Sequence, residues 1–323
     1  RQIGSYTVSY FAMQTLFQDG FNNMVALFDR YENNRSVISQ QLGTGVHTED
    51  GSEYTNGFGE AQREVLIPAF LSAYTDRDPI EFLNSREGDI FKTIPRPNWR
   101  LTYNGLSKLP WFKNIFKSVS ITHGYKSTLT VNSFETNQQY VNENPFGSQN
   151  LNNFGNYYTR FDIPALTITE QFSPLIGIDI KTINDMTFRV DFKKSRNLDA
   201  DFQTNVLTEN RTTEYVAGFG YRLKDVIIPF LTGKKKKKKG SKKSTKKASP
   251  GGRGARGANS NVPKGNDLNI KFDFSFRDNI TINHYLDQDL AEPTRGTRDI
   301  SINPSVDYQV NKRLNLRLFF DYR

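Results

Sequence analysis

Three histidines and one acidic segment are the first residues to consider for chemistry. His47, His123 and His284 lie far apart, and none belongs to an HExxH motif, so the sequence predicts no metal site. The segment HTEDGSE (47–53) could attract calcium, but it lacks the alternating D-x-D-x-D-G ligand order and is typical of a solvated turn. Cysteine is absent, which excludes disulfides, thiolate metal sites and a cysteine nucleophile.

The remaining candidates for catalysis are equally weak. The segments GFGYRLKD and GTGVHTEDG contain glycines but no phosphate-loop signature. Asp199 and Asp201 could imitate the carboxylate pair of a glycosidase, yet acids recur on every predicted strand and indicate a wetted wall instead. His123 lies on the apolar side of its strand, which favours a packing role over a ligand role. We therefore predict no enzyme, no metal and no cofactor.

The main signal in the sequence is an alternation of apolar and polar residues. In MTFRVDFKKSRNLDADFQTNV (186–206) the apolar residues occupy even positions and most polar ones occupy odd positions. Successive side chains of a strand point to opposite faces, so this segment predicts a strand with one apolar and one polar face. The alternation keeps its phase through KKSRN, which favours one long strand over a hairpin.

The same alternation predicts about nine strands, each beside its neighbour in sequence, and several of 15–20 residues. Ordinary strands have about 5–6 residues, whereas a membrane-crossing strand needs about 9–11. Mean hydropathy is −0.63 and no stretch approaches 18 apolar residues, so no transmembrane helix is predicted. We expect an all-β, antiparallel meander that forms part of a transmembrane β-barrel, with 1–323 as a single barrel segment. A soluble antiparallel sheet with one dry face shows the same alternation.

The phase of the alternation assigns the two faces. The residues predicted to face lipid are Phe188, Val190, Phe192, Leu268, Ile270, Phe272, Ile302, Val306, Leu316 and Leu318. Those predicted to face a water-filled lumen are Arg189, Asp191, Lys271, Asp273, Asp299, Asp307 and Arg317.

Two segments are predicted to be helical. AQREVLIPAFLSAY (61–74) predicts a short apolar helix interrupted at Pro68, within a long loop 30–96. LPWFKNIFKSV (109–119) predicts an interfacial helix, or alternatively a helix that caps a soluble barrel. Its apolar side comprises Trp111, Phe112, Ile115 and Phe116.

Barrels of the outer membrane have short periplasmic turns and longer outer loops. On that basis the turns 183–185 and 310–313 are predicted to be periplasmic, together with the helix at 109–117. The loops 138–160, 207–210 and 287–297 are then predicted to lie outside.

The basic character of the chain is local. Residues 233–264 contain 13 of the 43 basic residues and no acid, so the remainder has 30 basic and 34 acidic residues. We expect 230–266 to be a disordered Lys/Gly-rich insertion on the periplasmic side, because like charges without apolar residues cannot order a chain. It is a solvated insertion or an attachment to anionic lipid. Without interleaved aromatic residues it does not predict nucleic-acid binding.

Several long segments resemble a known family. RPNWRLTYNGLSKLPWFKNIFKSVSITHGYKSTLTVNSF (96–134), FSPLIGIDIKTINDMTFRVDFKKSRNLDADF (172–202), TEYVAGFGYRLKDV (213–226) and RLNLRLFFDYR (313–323) are similar to the carboxy-terminal region of SprA/Sov. This family is the outer-membrane translocon of the type IX secretion system of Bacteroidota. The lysine-rich stretch departs from the family pattern.

The resemblance implies a very large single-chain barrel in the bacterial outer membrane through which folded, secreted cargo proteins pass. It also implies a small outer-membrane barrel that receives cargo and a periplasmic plug protein as partners, beside membrane lipid. The chain starts at Arg1 and ends within an alternating run, so we expect a piece of a longer protein. The alternatives are a porin or nutrient-uptake barrel, and a secreted soluble β-protein that binds anionic ligands through its basic loop.

Overall fold

The computed structural model describes residues 2–10, 21–43, 53–143, 145–146, 150–228, 266–285, 290–311 and 313–323. Ten strands in this part of the chain form one sheet, and all their pairings are antiparallel. The strands are β1 (Ile3–Ser9), β2 (Trp99–Tyr103), β3 (Phe116–Thr136), β4 (Phe161–Asp162), β5 (Ala165–Thr182), β6 (Met186–Asp201), β7 (Val206–Val226), β8 (Asn266–Tyr285), β9 (Leu290–Asn311) and β10 (Leu314–Phe319).

The strand order is that of a meander. It runs β1-β3-β5-β6-β7-β8-β9-β10, while β2 and β4 also pair with β3. From β5 onwards every strand therefore pairs with the next one in sequence. The predicted all-β antiparallel meander with short helices in its loops is confirmed, and in the described residues the sheet is not closed.

The long strands extend well beyond the usual length. The strands β3 and β5 to β9 contain between 16 and 22 residues each. β6 continues through KKSRN as predicted, and it pairs with β7 from Met186 to Asp201 without a register shift. We call the end of the sheet that contains the β6–β7 turn the upper end, and the end that contains the β5–β6 turn the lower end.

Two predicted loops are wrong in position. Residues 207–210 lie inside β7, and the turn is at 202–205 instead. The Asp201 carboxylate fixes this turn, because its Oδ1 accepts hydrogen bonds from the backbone N–H groups of Gln203 at 2.7 Å and Thr204 at 3.2 Å. Likewise, 290–297 of the predicted loop 287–297 lie in β9.

Helices cover the upper part of one face of the sheet. They are α1 (Phe21–Leu42), α2 (Arg63–Tyr74) and α3 (Pro79–Asn84), so 30–96 contains more than the one short helix that was predicted. The predicted interruption at Pro68 is wrong, since α2 is continuous across it. Proline has no backbone N–H, so the only helical hydrogen bond lost at this position is the one to the carbonyl of Glu64.

The core lies between these helices and the sheet. Residues 65–74 of α2 are all buried, and they pack with apolar residues from the upper halves of four strands. The sheet side of the core includes Leu129, Val131, Leu166, Ile168, Leu198, Ala200 and Leu207. Within the described residues, no helix is long and apolar enough to cross a membrane.

The predicted interfacial helix is much shorter than expected. α4 spans only Pro110–Lys113, and Phe116 is the first residue of β3. Trp111 and Ile115 are 71% and 55% exposed, and the rings of Trp111 and Phe112 are 4.4 Å apart. The helix ends because β3 pairs Phe116 with Thr182 at the lower end of the sheet, which requires extended backbone.

Replacing Leu71 with alanine tests the helix–sheet core. Leu71 is 1% exposed in α2, and such a truncation costs about 2–5 kcal/mol because it leaves a cavity. Ile80→Ala is the control, since Ile80 is 38% exposed on α3 and its loss costs about 0.5 kcal/mol. Thermal unfolding in detergent measures both, and equal shifts in the midpoint would contradict the packing.

Candidate functional site

The register of the sheet brings the predicted lipid-facing residues onto one face. Directly paired residues of neighbouring strands share a face. Phe188 pairs with Phe219, Phe219 with Phe272, and Phe272 with Pro304. The ring centroids of Phe188 and Phe219 are 5.2 Å apart, and a continuous apolar band therefore runs across β5 to β10.

The members of this band are not covered by the helices. Phe188, Val190, Phe272, Leu316 and Leu318 are exposed, and Phe192, Leu268, Ile270, Ile302 and Val306 are half-buried. None of these ten residues belongs to the helix–sheet core of the described chain.

The height of the apolar band can be estimated on β8. Its apolar-face residues from Leu268 to Phe276 are uninterrupted, with Ile270, Phe272 and Phe274 between them. Nine residues span about 30 Å of strand, or about 23 Å along the axis of a barrel whose strands tilt by about 40°. The apolar band of outer-membrane barrels is about 25 Å tall.

Charged and polar residues end the apolar band at its upper edge. The next row on the same face consists of Lys194, Thr213, Asp278 and Arg298. Arg298 Nε lies 3.2 Å from Asp278 Oδ1. We call this row the charged rung, because it separates the exposed apolar band from the part of the face that the helices cover.

Above the charged rung lies a buried ionic cluster. Glu209, with a fully buried side chain, contacts Arg196 at 2.7 Å, Arg211 at 2.5 Å and His284 at 3.4 Å. The ring of Phe28, from α1, lies 4.5 Å from the His284 ring. The cluster therefore neutralises charges that the helical layer excludes from water.

A second buried carboxylate joins α2 to the sheet. Glu170 of β5 is fully buried and accepts hydrogen bonds from the hydroxyls of Tyr74 and Tyr125, the latter at 2.8 Å. The guanidinium of Arg196 lies 5.7 Å from the centre of the Tyr74 ring. The helical layer is thus held by polar contacts as well as by its apolar core.

The other face carries the residues predicted to line a lumen. Several of its charged side chains form ion pairs with neighbours on the same face. Arg189 Nε lies 2.7 Å from Asp191 Oδ2 and 3.9 Å from Asp179 Oδ1. Arg317 Nε lies 3.6 Å from Asp307 Oδ1. Lys271, Asp273 and Asp299 are exposed on the same face. This face therefore combines ion pairs with single charges of both signs that lie in water.

A glycine allows one of these carboxylates to lie flat against the sheet. A Cβ atom at Gly177 would stand 2.7 Å from Asp191 Oδ1, so any larger residue would displace the Asp191 side chain. With glycine there, the Asp191 side chain is 5% exposed. The Asp191 carboxylate therefore does not project from this face, although the sequence predicts an exposed charge there.

Toward the upper end, hydrogen-bonded pairs replace the charges on the polar face. Thr208 Oγ1 donates to Asn283 Oδ1 at 3.1 Å and Thr212 Oγ1 to Asn279 Oδ1 at 3.1 Å. Between them, Asn210 Nδ2 donates to Thr281 Oγ1 at 2.9 Å. These cross-strand pairs hold the register of β7 and β8 where the strands extend past the apolar band.

At the lower end, a turn is closed by an ion pair. Lys224, at the end of β7, hydrogen bonds to Asp185 in the β5–β6 turn, and this contact holds the pKa of the Asp185 carboxyl below its ordinary value. α4 and the last residues of β7 lie at this same end. The structure therefore places the β5–β6 turn, α4 and the end of β7 at the same end of the sheet.

The candidate chemical residues are placed as follows. His123 Nδ1 lies 2.7 Å from the carbonyl oxygen of Leu175, and its ring lies 5.7 Å from that of Phe172, which is a packing environment. His284 belongs to the buried ionic cluster, which the sequence reasoning missed. In the described part of the chain no three acidic or histidine side chains form a metal-binding group. His47, residues 47–52 of the acidic segment and residues 229–265 of the lysine-rich insertion lie outside the described residues.

No protein-family model matches the chain. No curated protein matches it either.

The buried ionic cluster gives a stability prediction. Glu209→Gln removes the charge that neutralises Arg196, whose side chain is 4% exposed, so we expect a loss of about 3–5 kcal/mol. Glu214→Gln is the matched control, because its partner Lys193 is one-third exposed at 3.1 Å and the change costs less than about 1 kcal/mol.

Urea unfolding in detergent measures both variants, and Arg196→Met combined with Glu209→Gln tests their coupling. The double variant should be more stable than Glu209→Gln alone. Equal losses for the Glu209 and Glu214 variants would show that the cluster is not buried.

Proposed function

We propose that this chain forms part of the wall of an outer-membrane β-barrel that conducts folded proteins, as in the translocon of the type IX secretion system. The observation that carries the proposal is the uncovered apolar band opposite a face of paired charges. The segments that resemble the SprA/Sov family supply the identity of the pore. The bacterial outer membrane is accordingly the proposed location.

A membrane accounts for the band better than a second protein layer does. Soluble proteins rarely expose apolar patches larger than a few hundred Å², and here exposed residues from Val190 to Leu318 extend over several strands. Hydrocarbon around Phe188 and Phe272 would remove this surface from water, while the charged rung would lie at the level of the head groups.

The polar face suits the lining of a wide channel. Its charges are paired along the wall, as between Arg189 and Asp191, so that a passing protein meets hydrated groups of balanced sign. The diameter of a barrel grows with its strand number. Ten strands that do not close upon themselves in the described residues are compatible with a barrel of much larger circumference. Transport through such a pore needs no covalent chemistry, and its energy comes from elsewhere.

The helical layer would lie outside the membrane, beside the barrel. α1, α2 and α3 cover the same face as the apolar band but above the charged rung, which places them over the outer leaflet if the lower turns are periplasmic. The proposed partners are lipid around the band, secreted cargo in the lumen, a small outer-membrane barrel that receives cargo, and a periplasmic plug protein at the lower end.

A charge in the middle of the apolar band tests the membrane wall. Phe272→Arg should cost about 2–4 kcal/mol of insertion free energy, because Phe272 lies at the centre of the band on β8. Ser275→Arg is the control, since Ser275 lies on the polar face of the same strand and should be tolerated. Heat-modifiable migration of the protein from outer-membrane fractions measures folded insertion.

The soluble alternative makes the opposite prediction for this pair. A soluble protein would be extracted without detergent, and its two variants would both be tolerated. That result would contradict the membrane assignment.

Depletion of the protein distinguishes a translocon from an uptake barrel. We expect folded secreted proteins to accumulate in the periplasm while the uptake of small solutes continues, because the pore moves proteins. Fractionation of a secreted reporter enzyme and uptake of a labelled sugar measure the two processes. Normal secretion with impaired uptake would favour the porin or nutrient-uptake barrel.

A further inference from the structure

A polar cleft at the upper end of the sheet is not used by the proposed pore. Its volume is about 740 Å³, within the range of roughly 300–1,000 Å³ that is usual for small-ligand clefts. Four parts of the chain form it: the start of α2, the connection after β3, residues 152–159, and the β6–β7 turn.

Side-chain amides dominate the lining. Eight asparagines and glutamines are supplemented by one cation and two acids, Arg63, Glu135 and Asp162. The amides are Gln62, Asn137, Gln138, Gln139, Asn152, Asn156 and Gln203, with Asn205 at the edge of the turn. Each amide can donate two hydrogen bonds and accept two. A lining of this kind suits a ligand with many hydroxyl groups and no net charge.

Some of these amides hold the walls in place. Asn152 Oδ1 accepts the backbone N–H groups of Phe154 at 2.9 Å and Asn156 at 3.0 Å. Asn156 Oδ1 accepts that of Gly59 at 2.6 Å. The loop is therefore tied to the segment before α2.

Other amides are available to a ligand. Gln138, Gln139 and Gln203 are exposed, and their side-chain amides make no hydrogen bond within the described residues. Arg63 Nε is buried at the cleft and also has no hydrogen-bond partner there, and burial lowers the pKa of this guanidinium. The Arg63 side chain as a whole is half-buried in the lining, and its Nη1 donates to the carbonyl oxygen of Ala61 at 3.1 Å.

An aromatic platform accompanies these donors. Phe154 is 87% exposed, more than any other large apolar side chain of the described chain, although its backbone is fixed by Asn152. Tyr158 is half-buried in the same lining. A flat, exposed ring beside planar amides matches a sugar ring, which has one apolar C–H face and a rim of hydroxyls.

We propose that this cleft binds a neutral oligosaccharide, with Phe154 against a sugar face and Gln138, Gln139, Gln203 and Arg63 on its hydroxyls. Two acids against one arginine disfavour a polyanion. An extended peptide would need an open strand edge, and Glu135 of β3 is paired with Ile3 on one side and Asp162 on the other.

Titration calorimetry of the full-length protein in detergent tests the proposal. The probes are maltohexaose, mannohexaose and N-acetylchitohexaose, polysaccharide released from the surface of the source cell, a heparin-derived hexasaccharide, and a six-residue Gly/Ser/Gln peptide. We expect at least one neutral glycan to bind and the charged glycan and the peptide not to bind. Tighter binding of the cell's own polysaccharide than of the free hexasaccharides would identify the ligand as a surface glycan. Tighter binding of a free hexasaccharide would identify the ligand as an external sugar.

Variants distinguish this cleft from other surfaces. Phe154→Ala should weaken binding about tenfold, equivalent to about 1.4 kcal/mol, without changing the thermal midpoint, because the ring is exposed. Gln138→Ala with Gln139→Ala should also weaken it, and Ile80→Ala on α3 should leave it unchanged. The proposal is overturned by no binding of any neutral glycan, by binding that Phe154→Ala does not alter, or by binding of the peptide alone.

Discussion

The register between neighbouring strands is the constraint on which the rest of the structure depends. β6 and β7 pair without a shift from Met186 to Asp201, and β7 and β8 pair continuously from Val206 to Leu223. Because side chains alternate, a slip of one residue would move the apolar set of a strand to the opposite face. The apolar band, the charged rung and the buried ionic cluster depend on the unshifted register that joins β6, β7 and β8.

One face of the sheet is divided between two environments. Below the charged rung, Phe188 and Phe272 are exposed, and above it Leu198 and Leu207 are buried under helices. The division lies where Lys194 and Arg196 occupy positions of β6 that are otherwise apolar. These two residues therefore mark the height at which hydrocarbon would end. Above this height the helical layer covers the apolar residues of the strands.

The strands could be predicted from the sequence because a period of two is a local property, and β6 shows it through KKSRN. The helical layer could not, since a helix–sheet contact such as Tyr74 with Glu170 joins residues 96 positions apart. A signal was nevertheless present, because Lys194 and Arg196 occupy apolar-phase positions of β6. Glu209 and Asn210 belong to the predicted loop 207–210, whereas in the structure Glu209 is a strand residue neutralised by two arginines.

The central claim, lipid on one face and water on the other, can be measured directly with single cysteines, because these 323 residues contain none and any cysteine elsewhere in the protein can be replaced by serine. Single cysteines placed in turn from Leu268 to Phe276 would carry nitroxide labels in the full-length protein in bilayers. The account predicts that labels at even positions collide with oxygen in the hydrocarbon, while labels at odd positions collide with a water-soluble nickel chelate. Labels that respond alike at both parities, or even positions shielded from both reagents, would contradict it.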